Sequence, residues 1–310
     1  MANEELSLIY NENPIEYEDA NVIRTMYGAP EIGPLLYEWR EEEFPGYGKA
    51  IAGEPIPQPR DVAFTVESRM KETSFPLAYR YAVEEANALG SIFSPKHGEV
   101  RLQFDRLDTA GDPVSRYLRM LSDAAPPWAW KPLGGEGEYG VRGSARIRTR
   151  VSGVARFPWF VDTVPCFDAT LTPSQPVVIT NPGDRWVGFM LEVGATSYNG
   201  NTMTLTGTYT LDGVAVVATL PILFTDGAPT QGVILEYWDP AAERGNPIGA
   251  RSWFYDVGDQ SWRRAVAIPQ SSGWLSFPPG VAVTLQMALS GGNSGTTSVN
   301  LRVTPVWEGF

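Results

Sequence analysis

The sequence MTLTGTYTLDGVAVVATLPIL, residues 203–223, predicts a β-hairpin. Apolar and polar residues alternate on either side of Asp212-Gly213, and a period of two is typical of a strand with one buried face. Asp-Gly is favoured in two-residue hairpin turns because those turns need residues that accept a positive φ. We therefore expect two antiparallel strands, over residues 203–211 and 214–223, joined at Asp212-Gly213.

Seven further strands are predicted around this hairpin in the C-terminal part of the chain. Turn residues such as Asn199-Gly200 and Asp226-Gly227 separate them. The predicted strands span residues 176–180, 187–193, 232–237, 253–257, 274–277, 281–289 and 299–307. No helix is predicted after residue 169. Many short strands divided by turns are typical of a β-sandwich or a barrel.

The N-terminal part of the chain has a different pattern, with one clear helix between two strands. Residues 62–66 and 100–104 alternate like half-buried strands. Between them, Ser74 is predicted to cap a helix that ends near Gly90, with Glu84 and Glu85 facing solvent. The apolar stripe predicted for this helix consists of Leu77, Tyr81, Val83, Ala88 and Leu89.

Two further elements are predicted before residue 169. Asp112 is expected to cap a second, short helix through Val114, Tyr117, Leu118 and Leu121. A later strand is expected to carry several cations on one face: Arg142, Arg146, Arg148 and Arg150. These cations favour a salt-bridge ladder, within the chain or between subunits, over a phosphate site, because carboxylates are abundant elsewhere.

Residues 1–60 are predicted to form an extended arm. Prolines at seven positions prevent a long helix, yet the segment contains aromatic side chains that a solvated disordered tail would not need. We expect the arm to lie against a neighbouring subunit, with Trp39, Phe44 and Tyr47 as candidate residues of an oligomer interface. The acidic run Glu41-Glu42-Glu43 is interpreted as a solvated face or a protected strand edge, with metal binding as the minor alternative.

Charge and hydropathy argue against two classes of partner. The net charge of −12 at pH 7 has the wrong sign for neutralising phosphates, so no direct binding of nucleic acid is expected. The longest apolar run, residues 214–224, is too short to span a membrane and contains Pro221. No interaction with a membrane is therefore expected.

Few residues of the chain could support catalysis. His97 is the only histidine and Cys166 the only cysteine, so Ser-His-Asp and Cys-His sites would both need His97, which lies in a predicted surface turn. We therefore expect no enzyme activity, no catalytic, cofactor-binding or metal-binding residues, and no cofactor. Cys166 is interpreted as a small buried residue. A glycoside hydrolase that uses two carboxylates stays open, because any acidic protein could supply them.

A carbohydrate-binding β-sandwich is the alternative function. Trp238, Trp253 and Trp262 lie near acidic residues in the predicted sandwich. Large aromatic rings of this kind fill cores and interfaces and can also present a flat apolar surface to a sugar. These three residues are therefore a candidate sugar platform.

Four segments follow one another along nearly the whole chain. Gly46-Tyr47-Gly48 precedes the strand at residues 62–66, and the predicted helix and next strand lie within residues 74–105. Residues 147–167 follow, and the turn Asn181-Pro182-Gly183-Asp184 comes last. In this order the segments resemble the distal tail proteins of long, flexible-tailed bacteriophages, a family in which the last segment opens a galectin-like C-terminal sandwich.

The resemblance implies a mainly β protein with two domains. Residues 1–168 would form an N-terminal β-rich domain with one packed helix, including the arm at about residues 1–60, and residues 169–310 a galectin-like antiparallel β-sandwich. The implied function is structural: a homohexameric ring at the tail tip, or baseplate hub, of the virion, assembled in the host cytoplasm. The expected partners are further copies of the chain, the tail tube protein, the tail hub, and tail fibre or receptor-binding proteins.

Overall fold

The computed structural model describes part of the chain, and it is mostly β. The described residues are 5–10, 13–14, 17–18, 22–38, 41–44, 48–51, 56–71, 75–107, 110–123, 146–193, 202–223, 233–237, 250–256, 261–264, 275–290 and 299–309. They form one α-helix and several antiparallel sheets, so the predicted fold class, a β-rich domain with one packed helix followed by a β-sandwich, is confirmed. Within the described residues, no helix combines the length and apolarity needed to cross a membrane.

The chain divides into two compact units, Met1–Phe160 and Val161–Gly309. The predicted domain ranges 1–168 and 169–310 stay a prediction. The elements up to the division are β1 (Glu5–Tyr10), β2 (Asn13–Pro14), β3 (Tyr17–Glu18), β4 (Val22–Met26), β5 (Glu31–Ile32), β6 (Tyr37–Glu38), β7 (Glu41–Phe44), β8 (Gly48–Ile51), β9 (Ile56–Pro57), β10 (Arg60–Met70), α1 (Phe75–Ile92), a 3₁₀ helix (Pro95–His97), β11 (Val100–Leu107), β12 (Pro113–Ser122), β13 (Arg146–Ala155) and β14 (Phe160–Asp162), within which the division falls.

One antiparallel sheet organises the first unit, in the order β2-β1-β11-β12-β13-β10-β4-β3, with β5 also paired to β10. The strands predicted at residues 62–66 and 100–104 are confirmed as parts of β10 and β11. The strands β6 and β9, and β7 and β8, form two small separate ladders. β1, β4 and β5 belong to the segment predicted as an arm, and they lie in the sheet of their own chain. Contact of this segment with a neighbouring subunit stays a prediction.

Helix α1 packs against the sheet through alanines. Ala78, Ala82 and Ala86 form one buried cluster with Val22, Met70 and Ile147 of the strands. Leu77, predicted to belong to the buried stripe, is 43% exposed. The prediction for Leu77 was wrong because the buried face of α1 runs through Ala78, Ala82, Ala86 and Leu89 at helical spacing, and Leu77 lies beside this face.

Glu85 was predicted to face solvent, but it is buried and paired with Arg24. Arg24 donates from Nε to Glu85 Oε1 at 2.6 Å and from Nη2 to Oε2 at 2.8 Å, and Ser68 Oγ donates to Oε1 at 2.7 Å. The network therefore joins α1 to β4 and β10. The sequence pattern of the helix could not indicate this, because the partner charge lies 61 residues away along the chain.

Residues 113–122 form strand β12, so the prediction of a second helix was wrong. β12 pairs with β11 from Leu107↔Pro113 to Val100↔Met120, and its end pairs with β13. Consecutive residues of β12, including Tyr117 and Leu118, are buried. A strand that is covered on both faces lacks the period of two, and from its sequence it cannot be distinguished from a short buried helix.

The second unit contains two sheets. Its strands are β15 (Phe167–Leu171), β16 (Val177–Thr180), β17 (Phe189–Val193), β18 (Thr202–Leu211), β19 (Val214–Leu223), β20 (Val233–Tyr237), β21 (Ala250–Asp256), β22 (Ser261–Arg264), β23 (Ala282–Ser290), β24 (Val299–Val303) and β25 (Val306–Trp307). One sheet has the order β15-β24-β17-β20-β21-β22 and the other the order β16-β23-β18-β19. Side chains such as Leu205 and Leu285 of one sheet and Leu191 and Leu301 of the other are buried in the core.

Most of the predicted C-terminal strands are confirmed, with small shifts at their ends. The segment 299–307 is divided into β24 and β25, and 274–277 contributes only the isolated bridge Val187↔Phe277. The strands β15 and β22 were not predicted. The hairpin of β18 and β19 pairs from Leu211↔Val214 to Thr202↔Leu223, and its turn residues Asp212 and Gly213 have φ values of +50° and +80°. Those left-handed values are the ones that a two-residue hairpin turn of this type requires.

Replacing Glu85 by glutamine should destabilise the first unit strongly. The substitution leaves the Arg24 charge in a buried site without the carboxylate that neutralises it, and breaking a buried pair in this way costs about 3–5 kcal/mol. Calorimetry would measure the unfolding temperature. The control is Glu84→Gln at the neighbouring position, where the side chain is 54% exposed and accepts from Arg80 Nε at 2.9 Å. Equal unfolding temperatures for the two variants would contradict this account of the helix.

Candidate functional site

The face of the first sheet that points away from α1 carries a ladder of charged side chains. β10 and β13 place Glu67 opposite Arg148 and Arg69 opposite Arg146. Glu67 accepts hydrogen bonds from Arg69 Nε and Arg148 Nε, both at 2.6 Å, and Arg146 Nε lies 3.3 Å from Glu67 Oε1. The predicted salt-bridge ladder is therefore confirmed within the chain. Arg142 lies outside the described residues.

The ladder continues toward the strands β4 and β5. The Arg148 guanidinium lies 3.8 Å from the centroid of the exposed Tyr27 ring, a cation–π contact. Arg150 Nη2 lies 2.7 Å from Glu31 Oε2 on β5. Residues from three parts of the chain thus hold the charges of β13 in place on this face.

Glu67 is a fixed anion and not a proton donor. Burial acts to raise its pKa, but hydrogen bonds from Arg148 and Arg69 and the charges of Arg146 and Arg148 outweigh burial, so the pKa of Glu67 lies below its usual value. A general acid needs a pKa near the working pH. Glu67 therefore holds arginines in position and does not fit an acid–base role near neutral pH.

An open groove of about 430 Å³ lies beside the ladder. Its lining includes Glu31, Gly33, Asp61, Asp123, Arg150 and Ser152. Within this lining, Gly33 N donates to the Asp61 carbonyl at 2.8 Å, which holds the chain after β5 against β10. Its carboxylates could bind cationic or amide groups. Among the described residues, no group of three His, Cys, Asp or Glu side chains could hold a metal ion.

Cys166 was predicted to be buried, but the residue is exposed. Its Sγ donates to the Val303 carbonyl at 3.4 Å, and burial of the thiol within this contact raises its pKa to about 11. A thiol with so high a pKa is protonated near neutral pH and is a poor nucleophile. The prediction was wrong because Cys166 lies just before β15, where the chain has not yet entered the sandwich core.

The buried Asn181 holds the turn at residues 181–184. Asn181 Nδ2 donates to the carbonyls of Arg185 and Phe277 at 2.7 and 3.0 Å, and its Oδ1 accepts from Gly183 N at 2.9 Å. A Cβ atom at Gly183 would lie 2.4 Å from the Val306 carbonyl oxygen, so only glycine fits. The turn fixes the start of the sandwich against the last strand, β25.

The predicted site residues fall mostly outside what the structure describes. Trp39, Tyr47 and Trp238 lie outside the described residues. Phe44 is the last residue of β7, and Trp253 and Trp262 lie on the paired strands β21 and β22, but the side chains of all three lie outside the described part of the structure. The oligomer interface and the sugar platform both stay predictions.

Two solved phage structures are similar to this one. The Dit (gp 19.1) protein of phage SPP1, described as a paradigm of the hub adsorption apparatus in phages that infect Gram-positive bacteria, has a TM-score of 0.47 and 12% sequence identity, over 97% of this chain and 99% of that chain. A chain of the phage P2 baseplate, in its activated conformation with Ca, has a TM-score of 0.36 and 12% identity, over 90% of each chain.

The chain resembles phage hub and baseplate proteins. No protein-family model matches the sequence, and no curated protein matches it. A likeness at 12% identity and these TM-scores does not carry a function from those proteins to this chain.

The contribution of Glu67 to stability should disappear at low pH. Because the folded-state pKa of Glu67 is lowered, its ion pairs stabilise the fold fully above the unfolded-state pKa of about 4.3, and this stabilisation is lost as the pH falls through the folded-state pKa. Glu67→Gln should therefore lower the urea midpoint clearly at pH 7 and less at a pH below the lowered folded-state pKa, where the wild-type carboxylate is also neutral. A difference between wild type and variant that is the same at both pH values would show that Glu67 does not act through its charge.

Proposed function

We propose that the chain is a structural subunit of a phage tail tip. It is a distal tail, or baseplate hub, protein whose copies form a homohexameric ring. The ring joins the tail tube and the tail hub to tail fibres or receptor-binding proteins. On this proposal the protein resides in the virion after assembly in the host cytoplasm, and it catalyses no reaction.

The order of elements along the chain supports this proposal most. The strand β10, the helix α1 and the strand β11 follow one another, β13 comes later in the same sheet, and the Asn181 turn opens the sandwich of the second unit. These are the elements that the sequence resemblance to distal tail proteins implies, in the implied order. Gly46 and Tyr47 of the first segment of the resemblance lie outside the described residues, so the support comes from the later segments.

The chemistry of the first unit is consistent with a scaffold. Its strongest charged contacts, Arg24 with Glu85 and the arginines with Glu67, connect strands and the helix to each other. The shifted pKa of Glu67 follows from those contacts and leaves it ionised. A heterologous interface between two different surfaces of such a subunit closes into a ring when the rotation between copies permits it.

Light scattering after size exclusion tests the proposal together with the predicted interface. The wild-type chain should have six times its 34.0 kDa mass, or twelve times for two stacked rings. The double variant Trp39→Ala, Tyr47→Ala should lose this assembly while its circular dichroism spectrum stays that of the folded protein, because truncation of aromatic anchors removes most of the energy of an interface. Tyr79→Ala, at an exposed tyrosine of α1, is the control and should assemble normally.

Two negative results of this experiment have different meanings. A wild-type chain that stays single at every concentration would contradict the ring. A ring that survives the double variant would instead show that Trp39 and Tyr47 lie away from the interface, and the ring itself would stand.

A further inference from the structure

The outer face of the sheet β16-β23-β18-β19 is uncharged at every described position. Side chains such as Leu205, Val283 and Leu285 point into the core, so the alternate residues of the same strands point outward. On β18 the outward residues are the threonines at alternate positions from 202 to 210. Those of the other three strands are Thr, Ala, Val, Ser, Gln and Pro.

This lack of charge is specific to one face. On the other sheet of the same unit, outward side chains include Asp168, Arg302 and Glu192, and Asp168 accepts from Asn300 Nδ2 at 2.7 Å and lies 3.4 Å from Arg302 Nε. Solvated surfaces usually carry about 25–35% charged residues. A chain with a net charge of −12 would therefore be expected to place several charges on a face of this size.

The face is broad, and its outermost positions are apolar. One row across the sheet runs through Val178, Thr284, Thr208 and Val217, as the strand pairing shows. Val178 and Val217, at the two ends of this row, are 64% and 67% exposed. Four strands at a spacing of about 4.8 Å, and about 27 Å of strand length from Thr202 to Thr210, give an area of about 500 Å².

We propose that this face is an interface between two copies of this chain, packed sheet against sheet. Two copies that meet through the same face would bury about 1,000 Å² in total, which is the lower end for a specific interface. Because this buried area is small, we expect the two copies to associate weakly, so that the dimer forms only at higher protein concentration.

The area of the face fits a second copy as the occupant, and the absence of charge lets two acidic chains meet there. Two chains of net charge −12 repel each other, and a contact through charged faces would also remove charges from water. This face avoids both costs, because it desolvates only methyl groups and threonine hydroxyls. The hydroxyls can keep hydrogen bonds within their own sheet, as Thr208 Oγ1 does with the Thr284 carbonyl at 3.4 Å. A symmetric, self-complementary contact of two sheets is a common way to form a dimer.

Sedimentation velocity of the full chain tests the proposal, over about 5–200 μM at a salt concentration that screens surface charge. The wild-type mass should double with concentration, from one chain to two, or from six to twelve if rings form. Thr208→Lys should weaken this doubling at least tenfold, because it buries a lysine at the centre of the face. Thr170→Lys, at an exposed threonine of β15 on the other sheet, is the matched control and should double like the wild type.

The charge change in both lysine variants excludes general repulsion between chains as the cause of a weaker association. Each lysine takes the net charge from −12 to −11, so general repulsion between chains falls. Weaker association in Thr208→Lys alone therefore reports on the face itself. Val217→Lys, at an exposed position of the edge strand β19, provides a second variant should Thr208→Lys have a lowered unfolding temperature.

Two results would overturn the proposal. One is a wild-type chain whose mass does not double over the whole range, and the other is doubling that persists in both Thr208→Lys and Val217→Lys. The proposed ring is tested separately by the same experiment. If the wild type changes from one chain to two, and Thr208→Lys abolishes this change, the interface is supported and the sixfold ring is contradicted.

Discussion

The pairing of Arg24 with Glu85 inside the first unit constrains how the N-terminal part of the chain can fold. Removing two charges from water costs several kcal/mol for each ion, and only a well-aligned partner with further hydrogen bonds offsets this cost. Arg24 meets Glu85 through two hydrogen bonds, and Ser68 adds a third. Because Arg24 lies opposite Ser68 in the ladder of β4 and β10, a slip of one residue would turn the arginine to the other face of the sheet. The ion pair therefore fixes the register of β4 and the position of α1 together.

The charges of the molecule are distributed unequally among its sheet faces. On the first unit, three arginines converge on Glu67, and Arg150 meets Glu31, so the charges on that face hold the strands to each other. On the second unit, one outer face keeps a small charged network around Asp168 and the other is uncharged at its described positions. A face of the first kind stabilises a subunit, and a face of the second kind can approach another chain without desolvating charge.

The sequence was most informative where local chemistry determines the structure. Asp212-Gly213 occupies a turn that needs two positive φ values. The alternating residues on both sides predict strands without information about any distant segment. The ladder of Arg146, Arg148 and Arg150 could be expected for the same reason, since alternation on one strand places them on one face. In both cases the signal lies within a few neighbouring residues.

The sequence was misleading where a distant segment determines the environment. Glu85 looks like an exposed helix residue until β4 brings Arg24 against it, and β12 looks helical because consecutive residues on both of its faces are buried. The outer face of β18 is a related case. Its alternating threonines are an ordinary strand pattern, and only the pairing with β19 and β23 shows that the uncharged residues form one continuous surface.

The central claim is that copies of this chain close into a ring at a tail tip. Electron microscopy of the purified full-length chain, imaged at several concentrations after mild cross-linking, tests this claim most directly. The account predicts closed particles with sixfold symmetry and a central opening wide enough to continue a tail tube. Micrographs that show only monomers or open, unclosed oligomers at every concentration would contradict it.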